Sequence, residues 1–309
     1  MNQNQTNILD DLDNGMLRRE EERNLDGYVK QHHYASDFLI ILNGAVYGKC
    51  IRQNFYDWAG FEKTNVDPKS LYNFASGNSL EDFFAGVYDR HTKWNVEKQR
   101  VVYIKPSGLE HPIKGKIDMV LRNFEEMDED HPYTILVELK TTHGRAMTGK
   151  GFGIKYTQKP KESHWMQASV YHNYCDTTPD LWIDECRKEL APFEERTQIE
   201  LDGGEVSDLS LQEKYRIHYL QTQINRFPHV RPDETVIIYF SREDFYRMEF
   251  HLGNQVPVLP MDDFRCFQTV EKYLREKKLP KRTFKKTDWQ CRYCNFRDRC
   301  YNIDTGGGE

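Results

Sequence analysis

Residues 96–142 hold three extended runs in close succession, and nothing else in the chain constrains the fold as strongly. Val96–Ile104 and Ile113–Leu121 are separated by Pro106, Ser107 and Gly108, a turn composition that reads as a hairpin connection. Tyr133–Thr142 is a third run, rich in the β-branched and aromatic residues that suit a pleated surface. Before them, Leu71–Arg90 carries Leu80, Phe83, Phe84 and Val87 on one stripe, which predicts a helix. A second helix is expected from Lys161 to Tyr174, a further strand in ETVIIYFSRED from residue 234, and an amphipathic helix over Asp262–Lys277. Helix, strands, helix and strand in this order predict an α/β fold, with a central mixed β-sheet flanked by helices. Residues 1–30 read as a polar, peripheral segment and 31–309 as a single domain. Within it, 31–60 leads into a core over 61–260, with an acidic insertion at about 176–232 that includes a helix over Leu211–Asn225. Residues 261–309 complete it as a C-terminal helix and a cysteine-bearing segment.

The two later strands carry charge in the middle of an apolar pattern. In TILVELKTT a period of two points Ile135, Val137 and Leu139 to one face, and Leu136, Glu138 and Lys140 to the other. In GKIDMVL the same alternation sets Ile117, Met119 and Leu121 against Asp118. If the strands pair, two carboxylates and a lysine converge, which is costly unless they neutralise one another or hold a cation. Oxygen ligands from Asp118 and Glu138 suit Mg²⁺ or Mn²⁺. Such a cation lowers the pKa of a bound water and steadies charge on a phosphoryl oxygen. An edge-strand ion pair between Glu138 and Lys140 would account for the same residues without a metal. Acid-x-lysine also occurs at Asp67-Pro68-Lys69 and Glu276-Lys277-Lys278, but neither lies in a strand that follows an acidic strand. Gln167 and Tyr171, four apart, share one face of the following helix. Upstream, Glu81 offers either a third carboxylate or an acid interacting with a helix dipole.

The net charge of −6 conceals an asymmetry: residues 271–299 carry eleven Lys or Arg against four Asp or Glu, a balance of +7 that leaves −13 elsewhere. A second basic stretch holds Lys150, Lys155, Lys159 and Lys161 between the Glu138 strand and the Gln167 helix, interleaved with Phe152 and Tyr156. Cations alternating with aromatic rings are what a contact to unpaired bases requires, although a solvated surface loop has the same composition. The longest apolar run, FLIILNGAVYG at 38–48, is broken by Asn43 and Gly44 and is too short to cross a bilayer. MNQNQTNILDDLDNG lacks the basic start and apolar stretch of a secretory signal, so a reducing cytoplasm is expected, a host's if the protein is viral. Its seven cysteines are then not expected to form disulfides.

Taken in order, GKID, ELK and QASVY resemble the G-x-x-D, E-x-K and Q-x-x-x-Y motifs of the RecB-like branch of the PD-(D/E)xK nuclease superfamily. The resemblance implies a restriction-endonuclease-like fold and a metal-dependent DNA nuclease. It implies that Asp118, Glu138 and the backbone carbonyl of Leu139 bind metal, and that Lys140 is catalytic. It places Gln167 and Tyr171 on substrate DNA and active-site geometry. Two departures stand out: Ile117 occupies the position of the superfamily's proline, and Glu81 stands where the upstream helix usually offers a histidine. The activity read from this is an exonuclease on single-stranded ends in DNA processing, repair or recombination; a helicase or recombination protein is a candidate partner, and the acidic insertion is the natural place for one. A non-catalytic DNA-binding scaffold is the rival reading.

Cys291, Cys294 and Cys300 form C-x2-C-x5-C, and Cys50 lies far upstream. Four thiolates hold either tetrahedral Zn²⁺ or an iron–sulfur cluster, and spacing does not choose between them. The pattern resembles the iron–sulfur subgroup of these nucleases, which includes CRISPR-associated and helicase-linked members, where one cysteine before the core and three after it clamp a [4Fe-4S] cluster. The resemblance thus implies a C-terminal iron–sulfur staple, against the alternative of a zinc-stapled endonuclease. Cys175, Cys186 and Cys266 read as small buried apolar residues.

Overall fold

The computed structural model describes residues 12–18, 30–42, 45–63, 68–125, 132–151, 153–176, 179–201, 209–225, 229–252 and 264–303. A short helix over 12–18 (α1) precedes strand His33–Tyr34 (β1) and the antiparallel pair Leu39–Leu42 (β2) and Ala45–Gly48 (β3). Helices Ile51–Trp58 (α2) and Pro68–His91 (α3) follow, and then the three expected strands, Asn95–Ile104 (β4), Ile113–Asn123 (β5) and Tyr133–Thr142 (β6). Next come short helices Gly144–Thr148 (α4) and Ile154–Thr157 (α5) and the longer Glu162–Tyr174 (α6). The insertion contains two helices, Pro179–Leu201 (α7) and Leu211–Asn225 (α8). Glu234–Ser241 (β7), Arg247–His251 (β8), Arg265–Arg275 (α9) and Trp289–Arg292 (α10) complete the order. Among the described residues no helix is long and apolar enough to cross a membrane.

The fold is α/β with a mixed sheet: β4 and β5 pair antiparallel, as do β5 and β6, β6 and β7 pair parallel, and β8 closes antiparallel on β7. Helices cover both faces because both faces of the central strands are apolar. Ile113, Ile117, Val120 and Leu136 pack on Met166, Val170 and Tyr171 of α6 and on Phe267 of α9. Met119, Leu121 and Val137 pack with Ala85 of α3. The α7–α8 pair lays Trp182, Cys186, Leu190 and Leu220 over Val101 and Tyr103 of β4.

Two irregularities shape the middle of the sheet. First, β4 occupies one whole edge of β5, so β1 and β6 share the other at opposite ends: β1 pairs at Ile113 and Lys114, and β6 only from Met119 to Asn123. The β5–β6 ladder stops at Met119 and Val137, after which β6 continues to Thr142 along β7 alone. The strands therefore part at Asp118 and Glu138. Second, the β4–β5 register omits the Gln99–Asp118 pair, and Gln99 has φ of 50°, a left-handed conformation that L residues adopt at a cost of about 1–2 kcal/mol. The simple alternation expected for β5 fails there, since Ile117 packs with α6 while Met119 and Leu121 pack with α3.

Candidate functional site

Where β5 and β6 part, the sheet cannot satisfy its own backbone, and side chains take over. The backbone N–H of Leu139 donates to Asp118 Oδ2 at 2.7 Å instead of to the neighbouring strand. Glu138 is 2% exposed, is bound by Lys140 Nζ through Oε1, and has no hydrogen-bond partner for Oε2. Lys140 Nζ also donates to Gln167 Oε1 at 3.1 Å, and Gln167 Nε2 donates to the Tyr171 hydroxyl at 2.8 Å. Position 115 must be glycine for this chain of contacts to close: a Cβ there would stand 2.3 Å from Tyr171 Cε1. From α3, Glu81 approaches Asp118, Glu138 and Lys140 and takes a hydrogen bond from Gln99, the strained residue of β4.

The electrostatics are those of three crowded carboxyls with one cation. Burial pushes Glu138 up to about 8, outweighing the pull of Lys140, with Asp118 and Glu81 adding to the rise. Burial and then the Asp118 charge push Glu81 up to about 7. Asp118 is raised by burial against the opposing effects of Lys140 and the Leu139 N–H. Burial disfavours the Lys140 ammonium, but Glu138 and Asp118 outweigh it and hold the group above its ordinary value. A divalent cation would replace the protons that such a set otherwise retains, and the unpartnered Glu138 oxygen gives it a donor.

Asp118, Glu138, Lys140, Gln167, Tyr171 and Glu81 are thus brought together. Lys150 between α4 and α5, Lys155 and Tyr156 on α5, and Lys159 just after it stand exposed, with Lys155 Nζ 4.4 Å from the centroid of the Tyr246 ring. Phe152 lies outside the described residues.

A second convergence joins residues far apart in the chain. Cys50, Cys291, Cys294 and Cys300 line one cavity with about 410 Å³ of unfilled space, part of it open to solvent. Arg52 reaches the same place: its Nη1 lies 3.6 Å from Cys300 Sγ, while Nε and Nη2 are buried without a partner. Tyr301 Oη stands 3.5 Å from Cys291 Sγ, and Arg282 donates to the Cys300 carbonyl at 2.8 Å. Phe55 and Tyr56 of α2 pack on Phe296 beneath. Cys175, Cys186 and Cys266 are buried elsewhere in the core.

The sequence reading missed one cluster. His33 of β1 and His111 of the β4–β5 connection meet Glu271 of α9, with His33 Nε2 3.0 Å and His111 Nδ1 3.3 Å from Glu271 Oε1. Among the described residues this is the group of three His, Cys, Asp or Glu donors that all lie within 4.8 Å of one another. Burial keeps His33 below its ordinary value, and the Glu271 charge is already met by His33 and by the backbone N–H groups of Glu110 and His111. The cluster reads as a brace tying α9 to the sheet. No spacing rule could have found it, because its members lie 160 and 238 residues apart from Glu271.

No family model matches the chain, and no curated protein does. Nine chains of solved structures match it. One, a crystal structure of SSO0001, is 15% identical over 92% of each chain, with a TM-score of 0.44. A likeness that weak carries no conclusion about fold family or activity.

Proposed function

We propose that the protein is a metal-dependent DNA nuclease of the PD-(D/E)xK type, acting on single-stranded ends and carrying an iron–sulfur staple. The observation that carries the first part is the meeting of Asp118, Glu138 and Lys140 where the strands part, with Glu138 Oε2 buried and unpartnered. Asp118, Glu138, the Leu139 carbonyl and Glu81 are the groups that would hold Mg²⁺ or Mn²⁺. The cation, when bound, supplies a Lewis acid at the phosphoryl oxygen and a water of lowered pKa. The chain does the rest. Lys140 stays charged beside the carboxylates and would offer its ammonium to the negative charge that develops on the phosphoryl oxygens. Gln167 fixes that ammonium from α6, and Tyr171, held by Gln167 and by the Lys116 N–H, locks Gln167 in turn.

For the staple, the four thiols fit a metal group and Arg52 supplies the buried positive charge that four thiolates demand. Tetrahedral zinc with Zn–S near 2.3 Å needs sulfurs roughly 3.8 Å apart. The choice of a [4Fe-4S] cluster over zinc rests on the resemblance of Cys50 and the C-x2-C-x5-C triplet to the iron–sulfur subgroup.

The test is digestion of labelled single- and double-stranded DNA with Mg²⁺ or Mn²⁺, comparing the protein with Lys140→Ala. Cation-dependent cleavage reduced roughly a hundredfold or more in the variant is expected. Equal activity in both, or none in either, overturns the reading. An anaerobic preparation without visible absorption and with stoichiometric zinc overturns the cluster.

A further inference from the structure

We propose that Lys114 and Lys116 of β5, walled by the α7–α8 insertion, form a subsite that holds the phosphate backbone of single-stranded DNA beside the acidic residues; this rests on the nuclease reading above. At about 3.3 Å per residue, Lys116 and Lys114 step back along β5 from Asp118 by about 7 and 13 Å. Lys116 pairs across the sheet with Val101 and Lys114 with Tyr103, the two β4 residues on which α7 and α8 pack, so both lysines share that face. Lys114 Nζ lies 4.0 Å from the centroid of the Trp182 ring of α7. Arg216 of α8 lies beside them, already paired with Glu189.

The acids that reach this patch are already engaged. Glu189 is held by Arg216 through two bonds of 2.5 and 2.6 Å, and Glu185 by Lys188 at 3.0 Å. Burial first, then Lys116 and Arg216, push the Lys114 ammonium down to about 8, with the Glu189 charge opposing the shift. Lys116 is exposed and lies on the same strand as Asp118. A phosphate bound here would be continuous with one at Asp118 and Glu138. An acidic protein segment would answer the same charges but would gain nothing from that continuity.

The experiment measures binding of labelled oligo(dT) to the full chain in EDTA over a series of salt concentrations, for the unmodified protein, Lys116→Gln and the Lys114→Gln/Lys116→Gln double variant. Each lost phosphate contact should flatten the plot of log affinity against log salt by about 0.7, so about 1.4 for the double variant. With Mn²⁺ present, KM for a long oligonucleotide should rise several-fold with kcat little changed, while hydrolysis of bis(p-nitrophenyl) phosphate stays the same. Lys116→Gln alone decides the matter if the double variant fails to fold, since Lys116 is at the surface. Unchanged slope and KM in a folded variant overturn the subsite and leave the nuclease reading standing. Loss of poly-glutamate binding without loss of oligo(dT) binding also overturns it, in favour of an acidic protein. An unmodified protein that neither binds nor cleaves DNA overturns both.

Discussion

At the scale of single residues, Glu138 is the most informative. Its carboxyl is raised from 4.5 to about 8 by burial, so in the metal-free protein its contribution to stability is complete below the lower value and lost as pH rises through the upper one. In EDTA the thermal midpoint should therefore fall between about pH 5 and pH 9, and Mn²⁺ should raise it more at the alkaline end, where it displaces no proton. Glu138→Gln should flatten the profile and abolish the metal effect. A midpoint independent of pH and metal in the unmodified protein would count against a cation site. Much of this site is legible in the sequence, because Glu138 and Lys140, and Gln167 and Tyr171, sit at spacings that a strand and a helix convert directly into a shared face, while Asp118 shows as a lone acid in an apolar strand. The unpaired Glu138 oxygen and the Arg52 nitrogens are not legible, since burial without a partner depends on the whole surroundings.

At the scale of elements, the close contact of β5 with α6 makes its own prediction. Gly115→Ala would drive a methyl group into the Tyr171 ring, which is buried and cannot swing aside. Overpacking of this kind typically costs about 1–3 kcal/mol, and the displaced Tyr171 should also loosen Gln167 from Lys140. A lower denaturation midpoint together with weakened cleavage is expected; a variant matching the parent in both would show that α6 is free to shift. The helices α3, α6 and α9 and the strands β4 to β7 are readable from apolar periodicity and turn composition. Strand β1 is too short at two residues for a period to declare itself, whereas β2 and β3 flank Asn43-Gly44, a hairpin signal that a reading of 38–48 as one apolar run passes over. The packing of Ile117 is misread for a different reason: the left-handed Gln99 breaks the face pattern beside Asp118, and nothing in a glutamine announces a positive φ.

At the scale of the whole molecule, the thiol cavity joins α2 near the beginning of the described chain to the segment after α9. Cys50→Ser should remove the visible absorption of a cluster and lower the unfolding midpoint, because the closure that then opens spans the sheet and its helices. Metal-dependent cleavage at low temperature should survive better than stability does, since Cys50 lies outside the acidic site. Equal midpoints for the variant and the parent would deny the thiols a structural role. The His33–Glu271–His111 brace acts across the same seam, between β1 and α9. The C-terminal basic segment packs on α2 through Tyr273, Leu274, Leu279 and Phe296.

The parting of β5 and β6 also gives the sheet a fork, with its missing rungs between Asp118 and Glu138. A cation gripping one carboxylate from each tine would act as a rung itself, tying the β4–β5 half to the β6–β7 half where the backbone does not. Amide hydrogens at Leu139 and Lys140 should then exchange more slowly with metal bound than without, while those of the closed ladder at Leu121 and Ile135 change little. The chemistry of the site and the rigidity of the sheet would rise and fall with the same ion.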